Sequence, residues 1–295
     1  MTRTLVLRPS AKINLTLNVG PTRTDGFHEV RTVLQSISLH DRLAITVRRG
    51  PFALTSSSPD VPVDQTNLVW KAADLLWRTL GRRGELRGVQ IALDKKIPIA
   101  AGLGGGSADA AATLAGLHEV WQGRLARAEL VTLAGCLGSD VPFFLQGGTS
   151  IGVGRGEELY PLEDVRRLSL IVIKPEFGVS AGQAYRWLDE DASGWSGGPG
   201  RRQSLDVGWS TGSLVLSNDL ESPVGRRHPE IPEIIEACLE EGATVAAMTG
   251  SGSAVFGVFP LAQQTRAIGR LSRRGWIVLP ARTLSRREAS RRLGL

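Results

Sequence analysis

Four of the five residues from Gly102 to Gly106 are glycine, and they sit in Pro98-Ile-Ala-Ala-Gly-Leu-Gly-Gly-Gly-Ser-Ala108, directly ahead of a run of alanines. Glycine lets the backbone approach an anion without interference from a Cβ, and the first N–H groups of a following helix have no intrahelical acceptor. The chemistry offered is phosphate binding. Ser107 is placed to cap the helix, or to set its hydroxyl on a phosphate or on the metal that accompanies it. A plain turn ahead of a capped helix has the same composition. Two familiar nucleotide loops do not fit. A Walker A loop needs Lys and then Ser or Thr after its last glycine, and the dinucleotide fingerprint needs Gly or Ala where Ser107 stands.

A second glycine cluster, Thr249-Gly-Ser-Gly-Ser-Ala254, separates the strand-like runs Val245-Ala-Ala-Met248 and Val255-Phe-Gly-Val258. It reads as a hairpin turn, or as a loop that closes over a substrate or phosphate. Two charged residues stand out beside these loops. Lys12 interrupts the apolar strand Pro9-Ser-Ala-Lys-Ile-Asn-Leu15 in a chain whose 35 basic residues are otherwise almost all arginine. It is either an edge-strand lysine facing water or a cation placed for chemistry. Asp140, in Leu137-Gly-Ser-Asp-Val-Pro-Phe-Phe144, is either a cap ahead of Pro142 or a working carboxylate. Beside bound phosphates such a pair suits phosphoryl transfer to a hydroxyl, with Lys12 compensating charge and Asp140 orienting the nucleophile and accepting its proton late.

Hydrophobic periodicity supplies the elements that must hold these residues. Residues 4–18 read as two strands broken at Pro9-Ser10, and 30–47 as two more turning at His40-Asp41. Residues 67–80 carry a helical stripe, capped at Thr66 or Asn67 and stopped at Gly81. A strand at 89–93 leads into the glycine loop; 107–121 and 127–137 read as helices, and 147–153 as a strand. From about Gly156 a second pattern begins, with strands at 168–173, 244–248, 254–259 and 276–279 and helices at 181–188, 231–239 and 262–271. Ser193-Gly-Trp-Ser-Gly-Gly-Pro-Gly200 reads as a linker-like surface insertion. Strands and helices mix without strict alternation, which predicts an α+β class in two domains, 1–155 and 156–295.

With 42% apolar residues the chain can build proper cores, yet no apolar run approaches the roughly 18 residues a membrane span needs. Met1-Thr-Arg-Thr-Leu-Val-Leu7 lacks the pattern of an export signal, so a cytoplasmic location is expected. Cys136 and Cys238 have no metal-ligand spacing and are expected as buried thiols. The formal charge of +6 fits an anionic substrate or a nucleic-acid partner. Arginines are scattered in pairs and in a tail of Arg286, Arg287, Arg291 and Arg292, the pattern of a solvated surface. No basic run is interleaved with aromatics, so neither nucleic acid nor membrane is expected as a partner.

Taken together, the segments at Pro9–Leu15, Pro98–Ala108, Gly138–Phe143 and Met248–Ala254 resemble the ordered motifs of the GHMP kinase superfamily. Arg23-Thr-Asp-Gly-Phe-His-Glu-Val-Arg-Thr32 and Leu216-Ser-Asn-Asp-Leu220 resemble the branch that acts on a cytidine-diphosphate-linked polyol. The likeness runs from about Val6 to Arg282. It implies two α+β domains with ATP and substrate in the cleft between them, and γ-phosphate transfer to a substrate hydroxyl. It makes Lys12 and Asp140 the catalytic pair. It makes Pro98, Ile99, Ala100, Ala101, Gly102, Leu103, Gly104, Gly105, Gly106, Ser107 and Ala108 the loop that holds the ATP phosphates. Asn14 would hold the substrate's polyol or phosphates, and Gly250, Ser251, Gly252 and Ser253 would lie at its diphosphate. Phe27, where this branch commonly has Tyr, and Tyr185 would stack on the pyrimidine that His28 reads. Ala181 stands where the branch often has Thr. Mg²⁺ is implied as the phosphates' companion, with Ser107 as a candidate ligand. Another small-molecule kinase of the superfamily is the nearest alternative, and an RNA-binding module is the alternative from a different class.

Overall fold

The computed structural model describes residues 3–193 and 214–295. Apart from its first residue, the insertion expected at 193–200 lies outside the described residues, as do Trp195 and Trp209. One sheet has the order β1 (Thr4–Leu7), β4 (Arg42–Pro51), β6 (Arg87–Asp94), β5 (Ala53–Ser56). A second runs β10 (Ser217–Asn218), β2 (Ser10–Thr22), β3 (His28–His40), β7 (Thr149–Val153), β8 (Glu158–Pro161). The third, antiparallel throughout, runs β11 (Val245–Met248), β12 (Val255–Phe259), β9 (Ser169–Lys174), β13 (Ile277–Arg282).

The predicted strands are present, but neighbours in sequence do not always pair. β1 and β2 part at Pro9 into different sheets, and β3 and β4 part at Asp41. Within β2, Ala11, Ile13 and Leu15 enter a core shared with Val33 and Ile37 of β3 and Leu170, Val172 and Phe256 of the third sheet. The two-residue period therefore sends Lys12, Asn14 and Thr16 to the opposite face, where they too are buried. β10 covers β2 only at Thr16 and Leu17; at Lys12 the strand pairs with β3 and its N–H donates to the Leu103 carbonyl of the glycine loop at 3.0 Å, so Lys12 is buried and not a water-facing edge lysine.

Helices α1 (Leu68–Thr79), α2 (Gly105–Val120), α3 (Arg127–Leu137) and α4 (Val141–Gln146) build a core with the first sheet around Ile45, Leu76, Ile91, Leu114 and Leu117. Asn67 caps α1, its Oδ1 accepting from the Val69 N–H at 2.8 Å. α2 is buried without interruption from Ala108 to Leu117, a stretch of small and apolar residues broken only by Asp109 and Thr113. Its small residues permit this. A Cβ on Gly116 would stand 2.5 Å from Ile45 Cδ1 and 2.7 Å from Leu7 Cδ1.

Helices α5 (Ala181–Ser193), α6 (Glu221–Arg227), α7 (Glu230–Glu240) and α8 (Leu261–Leu271) pack on the third sheet around Ile171, Ile173, Ile234 and Val255. The arginine tail departs from expectation. It forms α9 (Arg286–Arg292), capped by Ser285 with Glu288, which buries Ala289 and Leu293 and sends Arg292 to the Ser10 hydroxyl and the Ser38 carbonyl. A capping box and two apolar residues outweigh the run of charge. Cys136 is also a correction: it is exposed on α3, whereas Cys238 is buried, and burial pushes its thiol up to about 12.

Candidate active site

The glycine loop at Gly102–Gly106 feeds α2, which starts two residues earlier than the sequence suggests. Gly104, in the left-handed region at φ 71°, occupies the N-cap position and has no side chain to cap with. Ser107 therefore lies inside the first turn and is not the cap. The N–H groups of Gly105, Gly106 and Ser107 have no acceptor within the helix. Close approach makes glycine obligatory here: a Cβ on Gly104 would stand 2.6 Å from the Phe144 ring, and one on Gly102 only 2.1 Å from the Thr249 carbonyl oxygen.

That second contact joins the two glycine loops. The Ala254 N–H donates to the Ala101 carbonyl at 3.2 Å, and a Cβ on Gly250 would meet the Gly102 carbonyl at 2.9 Å and Lys12 Nζ at 3.2 Å. The Lys12 side chain thus threads between the loops. Its Nζ donates to Asn14 Oδ1 at 2.6 Å and stands 3.7 Å from Asp140 Oδ2. Asn14 donates through Nδ2 to Thr32 Oγ1 at 2.7 Å, and its N–H donates to Thr249 Oγ1 at 3.0 Å. Asn218 Nδ2 holds the second loop through the Met248 and Gly250 carbonyls, at 2.9 Å each.

Asp140 sits at the N-cap position of α4, yet its backbone is helical and its side chain caps nothing. The carboxylate is left facing the cleft, 41% exposed. This cleft, of about 570 Å³, is lined by Lys12, Asn14, Asp140, Phe27, His28 and Tyr185, with Ala181, Gly250 and Ser251 on its wall. A second cleft of about 400 Å³ lies on the other side of the loop, lined by Pro98 to Ser107 together with Lys95 and Asp109. Gly102, Gly104 and Ser107 line both. Three of the expected residues are in neither cleft. Ala108 is fully buried in α2, Gly252 is turned into the loop, and Ser253 Oγ donates to the Phe177 carbonyl at 2.6 Å, holding the loop rather than facing a ligand.

The residues expected to read a pyrimidine also gather. His28 stacks on Tyr185 with ring centroids 5.1 Å apart and planes 20° from parallel. Phe27 is half exposed, with the Arg155 guanidinium 5.0 Å from its ring centroid. Burial, with the Asp140 charge adding to it, pushes the Tyr185 phenol up to about 12, so it stays neutral.

One buried cluster has no counterpart in the sequence reading. Lys95 Nζ lies between Asp41 and Asp109, close to Asp41 and 2.8 Å from Asp109 Oδ2, under the start of α2. Burial alone would push the Lys95 ammonium down, but the two carboxylates outweigh it and the net shift is upward. Asp41 also accepts from the Lys96 and Ile97 N–H groups. Asp109 has no partner on Oδ1, and burial raises its carboxyl to about 8 despite Lys95. Its signal was an acid placed among alanines that the helix buries.

Two clefts meeting across a glycine loop, with a buried lysine and an unspent carboxylate at the junction, define a phosphoryl-transfer enzyme for small molecules. Residues 67–148 match the GHMP kinases N terminal domain and residues 207–276 the GHMP kinases C terminal domain. The chain is 42% identical to the 4-diphosphocytidyl-2-C-methyl-D-erythritol kinase of Pelotomaculum thermopropionicum, over 90% of this chain and 92% of that one. It is 45% identical to the Synechococcus sp. (strain JA-3-3Ab) enzyme of the same name, over 86% and 84%. A crystal structure of 4-(cytidine 5'-diphospho)-2C-methyl-D-erythritol kinase aligns with TM-score 0.75 and 33% identity over 96% of this chain and 99% of that one. A mevalonate kinase structure at 14% identity, TM-score 0.68, covering 95% and 99%, shares the fold. The chain belongs to the 4-diphosphocytidyl-2-C-methyl-D-erythritol kinase family of the GHMP kinases. It is an ATP-dependent small-molecule kinase of α+β architecture.

Proposed function

We propose that this enzyme transfers the γ-phosphoryl group of ATP to the 2-hydroxyl of 4-diphosphocytidyl-2-C-methyl-D-erythritol, a step of the non-mevalonate isoprenoid precursor pathway. The observation that carries the proposal is the sharing of Gly102, Gly104 and Ser107 by the two clefts, which lets donor and acceptor meet at the Lys12–Asp140 pair. Residues 1–155 form the ATP-binding part, and 156–295 contribute Tyr185, Gly250 and Ser251 to the substrate.

In this reading the free N–H groups at the start of α2 hold the donor phosphates. Lys12 compensates charge on the transferring group, its direction fixed by Asn14. Asp140 orients the 2-hydroxyl. As the new O–P bond forms and the bond to the ADP oxygen breaks, the hydroxyl proton passes to Asp140. Among the described residues no three His, Cys, Asp or Glu side chains gather to cage a metal. Ser107, in the first turn of α2 and lining both clefts, offers a hydroxyl oxygen that would serve as a protein ligand to Mg²⁺ carried in by the phosphates, with water completing the shell. When bound, Mg²⁺ neutralises phosphate charge.

The partners in this proposal are small molecules, with neither nucleic acid nor membrane, and the setting is the cytoplasm. No helix among the described residues is long and apolar enough to cross a membrane. The test is ADP release with 4-diphosphocytidyl-2-C-methyl-D-erythritol, homoserine and mevalonate as acceptors. Turnover is expected with the first alone, and Asp140→Asn is expected to lower kcat about a hundredfold or more while leaving ATP affinity unchanged. Preference for either other acceptor overturns the substrate assignment, and undiminished turnover in the variant overturns the role of Asp140.

A further inference from the structure

Tyr185 and Asp189 lie one turn apart on α5, on the same helix face, and both reach His28 at the start of β3. Tyr185 stacks on the face of the imidazole, and Asp189 Oδ1 stands 2.9 Å from its Nε2. Thr22 Oγ1 is 3.4 Å from the same nitrogen, a weaker contact. One helix face therefore fixes both the plane and one edge of the ring. His28, Tyr185, Asp189 and Phe27 all line the substrate cleft, and the His28 side chain is only 10% exposed.

A neutral imidazole carries one N–H and one lone pair, and its neighbours decide which nitrogen has which. An ionised carboxylate only accepts hydrogen bonds, so a partner such as Asp189 draws the hydrogen to Nε2 and leaves Nδ1 bare. Cytosine presents an exocyclic amino donor where uracil presents a carbonyl acceptor.

We propose that Asp189 is a specificity-determining positioning residue: by holding His28 in the Nε2–H tautomer, it presents the Nδ1 lone pair to the amino group of cytosine and rejects uracil. This deepens the proposed function and rests on its reading of the substrate as a cytidine nucleotide. With uracil, carbonyl and imidazole lone pairs would oppose each other and leave two acceptors unpaired, the kind of mismatch that polar sites reject most strongly. Asp189→Asn replaces the carboxylate with an amide that can donate or accept, so the tautomer is no longer dictated. Asp189→Ala removes the partner altogether. Asp189 lies at the rim, 55% exposed on its side chain, so neither change disturbs a core.

The experiment compares kcat/KM for the cytidine substrate and its uridine counterpart at pH 8. The wild type is expected to prefer cytidine. Both variants are expected to lower that preference about tenfold or more, through KM for the cytidine substrate, with its kcat and the Tm held. An unchanged preference in both variants, or an equal fall in kcat for both substrates, overturns the inference and leaves the proposed function standing. Failure of the wild type to phosphorylate the cytidine substrate overturns the function itself. Nitrogen-15 shifts of His28 in the unliganded enzyme provide a readout independent of turnover. The Nε2–H form is expected in the wild type and a mixture in Asp189→Asn; a dominant Nδ1–H form in the wild type overturns the inference.

Discussion

Gly102→Ala tests the contact between the two loops most directly. Gly102 has φ +72°, where an L side chain costs about 1–2 kcal/mol. The new Cβ would stand 2.1 Å from the Thr249 carbonyl oxygen, against ordinary contact from 3.4 Å, so the loops must separate by about 1.3 Å. Both partners are backbone, and no rotamer change can relieve the clash. Overpacking of this kind adds about 1–3 kcal/mol, which gives a total loss of stability of about 2–5 kcal/mol. The displacement also reaches the chemistry, because Thr249 Oγ1 accepts from the Asn14 N–H and Asn14 Oδ1 holds Lys12 Nζ. A misplacement of about 1 Å at reacting groups costs about a hundredfold in rate, and kcat is expected to fall by that order. The assay pairs urea unfolding with ADP release at saturating substrates. Gly135→Ala is the control: it lies in α3 with open space at its Cβ and is expected to gain about 0.5–1 kcal/mol with kcat unchanged. A Gly102→Ala enzyme with wild-type stability and kcat would refute the interlocking of the loops.

Lys12→Met keeps the buried stem but removes the ammonium, leaving Asn14 Oδ1 only the longer hydrogen bond from Thr249 Oγ1; kcat is expected to fall about a hundredfold or more with only a modest change in Tm, measured by the same ADP assay and a thermal melt. Asp109→Asn probes the buried acid. Because the folded carboxyl is raised to about 8, its contribution to stability is complete at low pH and is lost as pH rises from about 4 toward 8. The amide does not titrate, so the stability of the variant relative to wild type is expected to climb across that window in urea unfolding; parallel pH curves would refute it. Ser285→Ala removes the cap of α9 and is expected to cost about 1 kcal/mol by urea unfolding without changing kcat, since the helix lies away from both clefts.

How much of this was legible depends on the range over which each signal acts. Lys12, Asp140 and the glycine loop were legible because each breaks a local pattern: a cation in an apolar strand, an acid before proline, bare backbone before a helix. Their convergence was not local and came from the resemblance, since nothing in residues 10–22 says that β2 lies between β10 and β3. Periodicity gave most elements, and cap chemistry left Thr66 or Asn67 for α1, of which Asn67 is the cap, but neither gave the parting of β1 from β2, because strand pairing is decided by distant partners. Ser107 illustrates a narrower failure. Capping preference favours serine over glycine, yet the tight approach of Thr249 and Phe144 requires bare backbone at 102 and 104, and the helix starts earlier. α9 was missed because four arginines outweigh Ala289 and Leu293 in any local count, although the packing is decided by those two. Asp189 carried a faint signal, its four-residue spacing from Tyr185, which means something only once His28 is known to face α5.

The burial of α2 on every side has a consequence for the order in which the enzyme opens. Amide hydrogens from Leu114 to Leu117 have no route to solvent short of losing the first core, so they should exchange only through global unfolding. The phosphate end of the site is fixed to that slowest-exchanging unit. The turn carrying Phe27, half exposed and tied down chiefly by Arg23, Asp25 and Glu29, belongs to the fast-exchanging end. On the proposed function the two substrates meet surfaces of opposite character: the nucleotide triphosphate lies against the helix rooted in the first core, and the pyrimidine against a turn held by surface ion pairs and by α5.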